Sequence, residues 1–377
     1  MPPGWTIMRI EDAYVQLPVG QRYDSKSVSD SGRVPVLDQS QRGVLGYHDD
    51  PPGVDASSER PVVTFANHTC AMRVVRSPFS VIQNVFPLVG RSEVCDTLFL
   101  YYATNGRQQT EEYKGHHPAW RRSYFGVPGL EVQEKIAGVL SGFDSLIENN
   151  RRRVELLEEM ARTIYREWFV HFRYPGHDGV KFVDSAHGSI PDGWAIEQLR
   201  EIADLSGGST RTKASYVEAG YVAFSAAGPD GHLPDFEIEG SGVVLSAVGA
   251  RCGRTFRASG KWSSIANTIK IVPRSGKCGP CWLYLATDDP TIWPKRGSAQ
   301  PFVSINDARG VQVLAPDATT VARFEAACGS LDSAAEVLRS EMTVVASVRD
   351  LLLIKLVTGQ IDVSSLDLDA LVESSVA

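Results

Sequence analysis

Four short polar strings carry the side chains best suited to chemistry in this 377-residue chain. They are Asp38-Gln39-Ser40-Gln41-Arg42, Ala66-Asn67-His68-Thr69, Ser209-Thr210-Arg211-Thr212-Lys213 behind Gly207-Gly208, and Gly249-Ala250-Arg251-Cys252-Gly253-Arg254. Each interrupts a run of apolar, β-type residues. Amide, hydroxyl and guanidinium groups offer the donors and acceptors that match base-pair edges in the major groove. The candidate contacts are Gln39, Ser40, Gln41, Arg42, Asn67, His68, Arg73, Ser209, Thr210, Arg211, Lys213, Arg251, Arg254 and Gln300. The plain alternative, for any one of them, is a solvated loop residue.

Other strings invite chemistry and fall short of it. Cys278-Gly279-Pro280-Cys281 copies a redox motif, but a thiol used that way needs a helix N-terminus that lowers its pKa. Zinc would require a second cysteine pair at ligand spacing, and none is present. His116-His117 is the only adjacent histidine pair and reads as a surface loop. Asp50-Pro51-Pro52-Gly53 approaches the loop that holds a flipped adenine, with glycine where the stacking ring belongs. No Gly-x-Gly-x-x-Gly follows a strand, and no Gly-Lys-Ser/Thr phosphate loop occurs. No catalytic residue and no metal site are expected, and the chain itself is expected to hold no cofactor.

The elements that position the strings come in duplicate. Pro3-Gly4-Trp5 recurs as Asp192-Gly193-Trp194, and Leu100-Tyr101-Tyr102-Ala103-Thr104 as Leu283-Tyr284-Leu285-Ala286-Thr287. Pro128 and Pro316 each precede a long helical pattern. A period this long means two domains, whereas a solenoid would repeat every few tens of residues. In the first copy, strands are expected at Val34–Leu37, Pro61–Phe65, Met72–Val75, Val85–Val89 and Thr97–Tyr102. In the second they fall at Val222–Phe224, Val243–Ser246, Thr255–Phe256, Thr268–Val272 and Cys281–Leu285. The first helix carries a heptad seam of Ile136, Leu140, Phe143, Ile147, Val154, Leu157, Ala161, Ile164 and Trp168, with Asn150 as its polar member. The second runs Val321, Phe324, Cys328, Leu331, Ala335, Leu338, Met342, Val345, Leu352 and Leu356, with Arg349 at a seam position. Seams of roughly 50 Å are too long to leave in water, and pairing them antiparallel within one chain buries both.

The expected fold class is therefore α+β: two pseudo-repeated α/β recognition domains separated by two long antiparallel coiled-coil helices. The boundaries are domain 1 at 1–128, a central helix at 129–172, a linker at 173–192, domain 2 at 193–315, a second helix at 316–358 and an acidic tail at 359–377. The formal charge is −7. The acidic excess lies in the helices and tail, and the modules are near neutral, which suits specific rather than strong non-specific DNA binding. A partner is expected to add phosphate contacts. The start of the chain carries no secretory signal and no apolar run spans a bilayer, so a cytoplasmic location with no membrane partner is expected.

Val127-Pro128-Gly129-Leu130-Glu131-Val132-Gln133-Glu134-Lys135-Ile136-Ala137, followed by Arg166-Glu167-Trp168-Phe169-Val170-His171-Phe172, closely resembles the central conserved region of type I restriction–modification specificity subunits. Phe182-Val183-Asp184-Ser185 through Ile190-Pro191-Asp192-Gly193-Trp194 resembles that family's entry into its second recognition domain. Arg349-Asp350-Leu351-Leu352-Leu353-Ile354-Lys355-Leu356-Val357-Thr358-Gly359-Gln360-Ile361 is similar to its C-terminal conserved region. Gly297-Ser298-Ala299-Gln300-Pro301 and Asp38-Gln39-Ser40 resemble strings of its recognition domains. The first copy has only His116-His117-Pro118-Ala119 where Gln300-Pro301 stands in the second, and Ala318-Thr319-Thr320 lacks the Glu-x-Gln string. The resemblance implies a non-catalytic phage-defence subunit that binds a split, asymmetric double-stranded DNA sequence, one half per domain. It also implies two modification subunits and restriction subunits as partners, with S-adenosylmethionine, magnesium and ATP held by those partners. Leu156, Met160, Tyr165 and Phe169 flank the first seam and are the expected partner-docking residues. The rival readings are a fused methyltransferase or nuclease, which the missing cofactor motifs oppose, and a scaffold that binds only proteins.

Overall fold

The computed structural model describes residues 2–40, 43–108, 115–185 and 188–365. Its contacts fall into two units, residues 1–150 with 341–377, and residues 151–340. In the first unit the elements are β1 (Thr6–Arg9), α1 (Ile10–Ala13), β2 (Tyr14–Gln16), β3 (Arg22–Tyr23), β4 (Val34–Leu37), β5 (Val44–His48), β6 (Val62–Ala66), β7 (Met72–Val75), β8 (Ser80–Ile82) and β9 (Val85–Gly90). Then come α2 (Thr97–Thr104), α3 (His117–Arg122), β10 (Tyr124–Val127) and the long α4 (Leu130–Tyr165). A π-helical turn, Arg166–Val170, ends α4.

The second unit follows with the hairpin β11 (Phe182–Ser185) and β12 (Gly188–Pro191), inside the stretch expected to be a plain linker. Next are β13 (Ala195–Gln198), α5 (Leu199–Ile202), β14 (Ala203–Gly207), β15 (Tyr221–Ser225), β16 (Gly228–Leu233), β17 (Ile238–Glu239), β18 (Gly242–Ser246), β19 (Thr255–Ala258), β20 (Lys261–Ser264) and β21 (Thr268–Pro273). It continues through α6 (Pro280–Thr287), α7 (Ile305–Arg309), β22 (Gln312–Ala315) and the long α8 (Ala318–Val357).

The repeat seen in sequence is a repeat of topology. One antiparallel sheet has the order β2-β9-β6-β7 in the first unit and β14-β21-β18-β19 in the second. Its inner strands β6 and β18 are buried at every residue, so they read as unbroken apolar runs rather than alternating ones. A two-stranded ribbon, β1–β10 or β13–β22, closes each module in the same antiparallel sense. The second sheet departs from the repeat. Its order is β3-β8-β4-β5 in the first unit and β16-β15-β20-β17 in the second. The parallel pairs β4–β8 and β15–β20 correspond, but the fourth strand is a parallel β3 from ahead of β4 in one and an antiparallel β17 from behind β16 in the other.

Two expected strands are helices. Thr97–Tyr102 lies in α2 and Cys281–Leu285 in α6. Both octets are apolar almost throughout, so periodicity does not separate buried strand from buried helix. Their helix starts decide it. The Asp96 carboxylate accepts from the Phe99 N–H at 2.7 Å, and Pro280 occupies the first turn of α6, where its missing N–H costs nothing.

Each helix half packs on its own module. In the first unit Ile136 and Leu140 are fully buried beside Phe99, Phe125 and Leu356. Gln133 pins the start of α4: its amide oxygen accepts from the Asp96 N–H at 2.8 Å, and its NH2 donates to the carbonyls of Pro128 and Val94. Asn150, 2% exposed, donates to Glu341 at 3.2 Å, and Arg349 donates to Asp144 at 2.6 Å. Tyr102 also donates to Asp144, at 2.6 Å. The higher the position on α4, the lower its partner on α8, so the seam is antiparallel. The second unit shows the same sense: Glu158 pairs with Arg339, and Phe169 meets Phe324 with ring centroids 4.9 Å apart. Asp317 caps α8, its carboxylate accepting from the N–H groups of Thr319 and Thr320, the Thr320 hydroxyl and the Trp194 indole.

Candidate nucleic-acid interface

In each module the strand ends gather the polar strings. Strand β8 is parallel to β4, so the β4–β5 turn, the turn after β8 and the β6–β7 turn lie together in the first unit. Asp38 accepts from the Ser40 N–H at 2.9 Å and its hydroxyl at 2.8 Å, which folds the chain back on itself just after β4. Thr69 donates to the Gln39 carbonyl at 2.7 Å, and the His68 N–H donates to the Gln39 side-chain oxygen at 2.9 Å. Asn84, at φ 66°, brings its amide within 3.4 Å of His68 Nε2. Asn67 receives the N–H groups of His116 and His117.

Arg73 braces the same turn from β7, donating to the carbonyls of Asp38, at 3.1 Å, and Ser40. Burial holds its pKa below the usual guanidinium value. Gly43 is required here: at φ +82°, an added Cβ would lie 2.6 Å from Arg73 Nε. Arg73, Gln39 and Asn67 thus serve first to shape the loop. Gln41 and Arg42 lie outside the described residues.

Among the described residues of the polar strings, the second unit presents more cations. The stretch from Ser209 to Arg211 runs beside the end of β20: the Ser209 N–H donates to the Ser264 carbonyl at 2.9 Å, and Ala266 N–H to the Arg211 carbonyl at 3.1 Å. The Arg211 guanidinium grips Asp235 with both terminal nitrogens, one of them at 2.8 Å. Lys213 donates to Asp230 at 2.5 Å, and Tyr216 and Ser225 donate to the same carboxylate. Ser209 keeps its hydroxyl buried while Thr210 is exposed. Arg251 donates to the Ala227 carbonyl at 2.7 Å, which joins the β18–β19 turn to the β15–β16 turn. Arg254 is exposed. Gln300 is exposed on a loop tied down by Gly249 N–H to Pro301 and by paired bonds between Arg296 and Phe302. Lys295 adds a cation beside Gly253.

Asp38–Arg42 and Ser209–Lys213 do not stand at corresponding places in the repeat. The first is the β4–β5 turn, whose counterpart is the short turn at Ala226-Ala227. The counterpart of Ser209–Lys213 is the segment around β3. Carrying the offset of Gly4 and Gly193 along the chain sets Arg22 against Arg211, and sequence reasoning overlooked Arg22. Its guanidinium donates to the Ile82 carbonyl at 2.9 Å, at the end of β8.

The remaining strings are architectural. Gly53 N–H donates to Ser80, and Asp50 receives the Tyr23 hydroxyl. His117 is a core residue, not a surface one: it stacks on Phe86 at 4.2 Å, and burial pushes its pKa down to about 4. His116 is buried too. Cys278 donates to the Ile202 carbonyl and Cys281 receives Arg257, and burial pushes both thiols up to about 12. Thiols in that state are unsuited to redox exchange or zinc. No group of three potential metal ligands occurs among the described residues, and no helix among them is long and apolar enough to cross a membrane.

The helices carry a second candidate surface. Leu156 is 65% exposed and Met160 53%. Leu156, Leu157, Val337 and Leu338 line an apolar groove of about 570 Å³ in the second unit. Tyr165 and Phe169 do not belong to this flank. Phe169 is 4% exposed and packs on Trp194, Trp282 and Phe324, and Tyr165 packs on Phe169 and Phe324. The π-helical turn rotates the end of α4, which brings Phe169 into the core.

No family model matches the chain. A stretch of 98 residues is 35% identical to the type I restriction enzyme MjaIX specificity subunit of Methanocaldococcus jannaschii, covering 26% of this chain and 23% of that protein. Another of 138 residues is 24% identical to the MjaVIII specificity subunit of the same organism, covering 34% and 32%. The chain thus spans a third or less of the curated relatives it matches. Its fold is similar to that of the type I restriction–modification S subunit from M. genitalium, with a TM-score of 0.59 at 15% identity over 94% of this chain and 96% of that one. By matched sequence and by fold, what this chain is similar to is the specificity subunit of type I restriction–modification systems, as its conserved-region strings predict.

Proposed function

We propose that this chain is the non-catalytic DNA-specificity subunit of a type I restriction–modification complex. Each module reads one half of a bipartite, asymmetric double-stranded target. The two long helices serve as spacer and dock two modification subunits, which carry S-adenosylmethionine and methylate adenine. Restriction subunits, with ATP and magnesium, join the same assembly.

One observation carries this reading: the modules share the first sheet and the closing ribbon strand for strand yet present different chemistry at the tip. The first offers Gln39, Ser40, Asn67 and His68, and the second Lys213, Arg251 and Arg254. A repeated scaffold with diverged tips is what reading two different half-sites requires. The exposed apolar flank at Leu156, Met160 and Val337 supports docking on the helices.

The test is methylation-site sequencing of a genome that carries the chain with its modification subunit, followed by exchange of the whole second module. The expected motif has two parts, and the exchange alters one of them. A single uninterrupted motif, or an exchange that alters both parts, overturns the reading. DNA recovered equally well by the modification subunit alone would make this chain a protein-only scaffold.

A further inference from the structure

Arg22 and Arg211 fall at the same offset in the repeat, the 189 residues that also separate Gly4 from Gly193. Each sits in the segment that follows the first strand of its module, β2 or β14. Each segment runs beside the end of the corresponding strand: Arg22 pairs with Val81 of β8, and Arg211 accepts from Ala266 just beyond β20. Those ends are where the polar turns gather, with Leu37 and Asn84 close by in one unit and Ser225 and Asn267 in the other. Both guanidinium groups reach solvent.

The neighbouring positions have diverged. The turn at 38–43 is replaced by Ala226-Ala227, and Asn67-His68-Thr69 by a turn with Arg251 and Arg254. A cation that persists where the rest of the tip changes suits a ligand feature common to both half-sites. The phosphate backbone is that feature, because it is the same whatever the bases. An arginine fork also matches phosphate oxygens bidentately.

We propose that Arg22 and Arg211 are equivalent phosphate contacts, one in each module, which hold the DNA backbone without reading its sequence. The inference rests on the DNA-binding reading above. The two sites differ in how the cation is kept. Arg22 is anchored by one bond to the neutral Ile82 carbonyl. Arg211 is docked on the Asp235 carboxylate, so DNA must displace that carboxylate before phosphate can take its place. Asp235 therefore lowers the affinity of the second module.

The experiment measures binding by the full chain with its modification subunit to two duplexes across a salt series. One duplex carries the motif found by methylation sequencing, and the other is a scrambled sequence of equal length. Arg22→Ala and Arg211→Ala should each weaken both duplexes by the same factor and reduce the salt slope by about one. Arg22→Lys and Arg211→Lys should restore the slope, since a point charge suffices for phosphate. Asp235→Ala should tighten both duplexes. Loss confined to the motif duplex, an altered methylation motif, failure of lysine to restore the slope, or weaker binding by Asp235→Ala would overturn the inference. So would alanine variants that bind like the wild type. A wild type that binds neither duplex would instead overturn the proposed function.

Discussion

Replacing Phe169 with Ala tests whether the end of α4 is core or docking surface. The ring is 4% exposed, and its centroid lies 4.9 Å from that of Phe324, 5.7 Å from Trp194 and 6.4 Å from Trp282. Truncating a buried Phe costs about 3–5 kcal/mol, the sum of lost transfer energy and the cavity left behind. The walls here are large rings held by the ribbon, α6 and α8, so little collapse is expected and the upper half of that range applies. For a unit of this size each kcal/mol lowers the melting temperature by roughly 2–4 °C, so a fall of about 8–20 °C is expected. Leu156→Glu is the counterpart. At 65% exposure it should shift stability by no more than about 0.5 kcal/mol, yet abolish co-purification with the modification subunit. Calorimetry and a tagged pull-down read the two effects. A Phe169→Ala protein that melts like the wild type would refute the core assignment. A Leu156→Glu protein that still co-purifies would refute the docking assignment.

Asp317→Ala should destabilise the second unit by about 1–2 kcal/mol through loss of the cap on α8. Burial works to raise the Asp317 pKa, but bonds from Thr320, Trp194 and Thr319 outweigh it and hold the carboxyl below its usual value. Its contribution is therefore present above the unfolded value of about 4 and lost as pH falls through the lower folded one; urea melts at neutral and acid pH should show the variant's deficit shrinking in acid. Cys278 and Cys281, with thiols near 12, should resist iodoacetamide at neutral pH until the chain is denatured, as mass spectrometry of digests will show. Tyr102→Phe should cost about 1 kcal/mol in urea unfolding, because it strips one of two donors from the half-buried Asp144; an unchanged midpoint would mean that Arg349 alone satisfies the carboxylate. Gly359→Ala should destabilise the first unit, since φ is +69° and the new Cβ would meet Pro2 Cγ at 2.3 Å, and a melting temperature at or above the wild-type value would contradict that.

What the sequence made legible was whatever depends on local period. The seam residues Ile136, Leu140, Phe324 and Ala335 are buried as their spacing requires, and Asn150 meets a polar partner across the seam. What it hid depends on tertiary context. Thr97–Thr104 is apolar on every face, so only Asp96 signalled a helix. Phe169 looks like an exposed flank residue until the π-helical turn shifts its phase. Arg22 lies outside the four polar strings, and only the offset between Gly4 and Gly193 leads from Arg211 to it. The histidine pair appeared to be surface because nothing local reveals that Phe86 and Trp120 close over His117.

Strands β3 and β17 fill the same edge of the second sheet from opposite directions along the chain. A loop graft carrying β3 into the second unit would bring two segments to one edge, and the reverse graft would leave that edge bare. An exchange between modules therefore keeps the second sheet intact when β3 through β5, or β15 through β17, moves as one block. The natural junctions are the ribbons β1–β10 and β13–β22, each four residue pairs long and antiparallel in both units. Recombination there joins ends that already fit, while a crossover between the positions of β3 and β17 yields a second sheet with one strand too many or one too few.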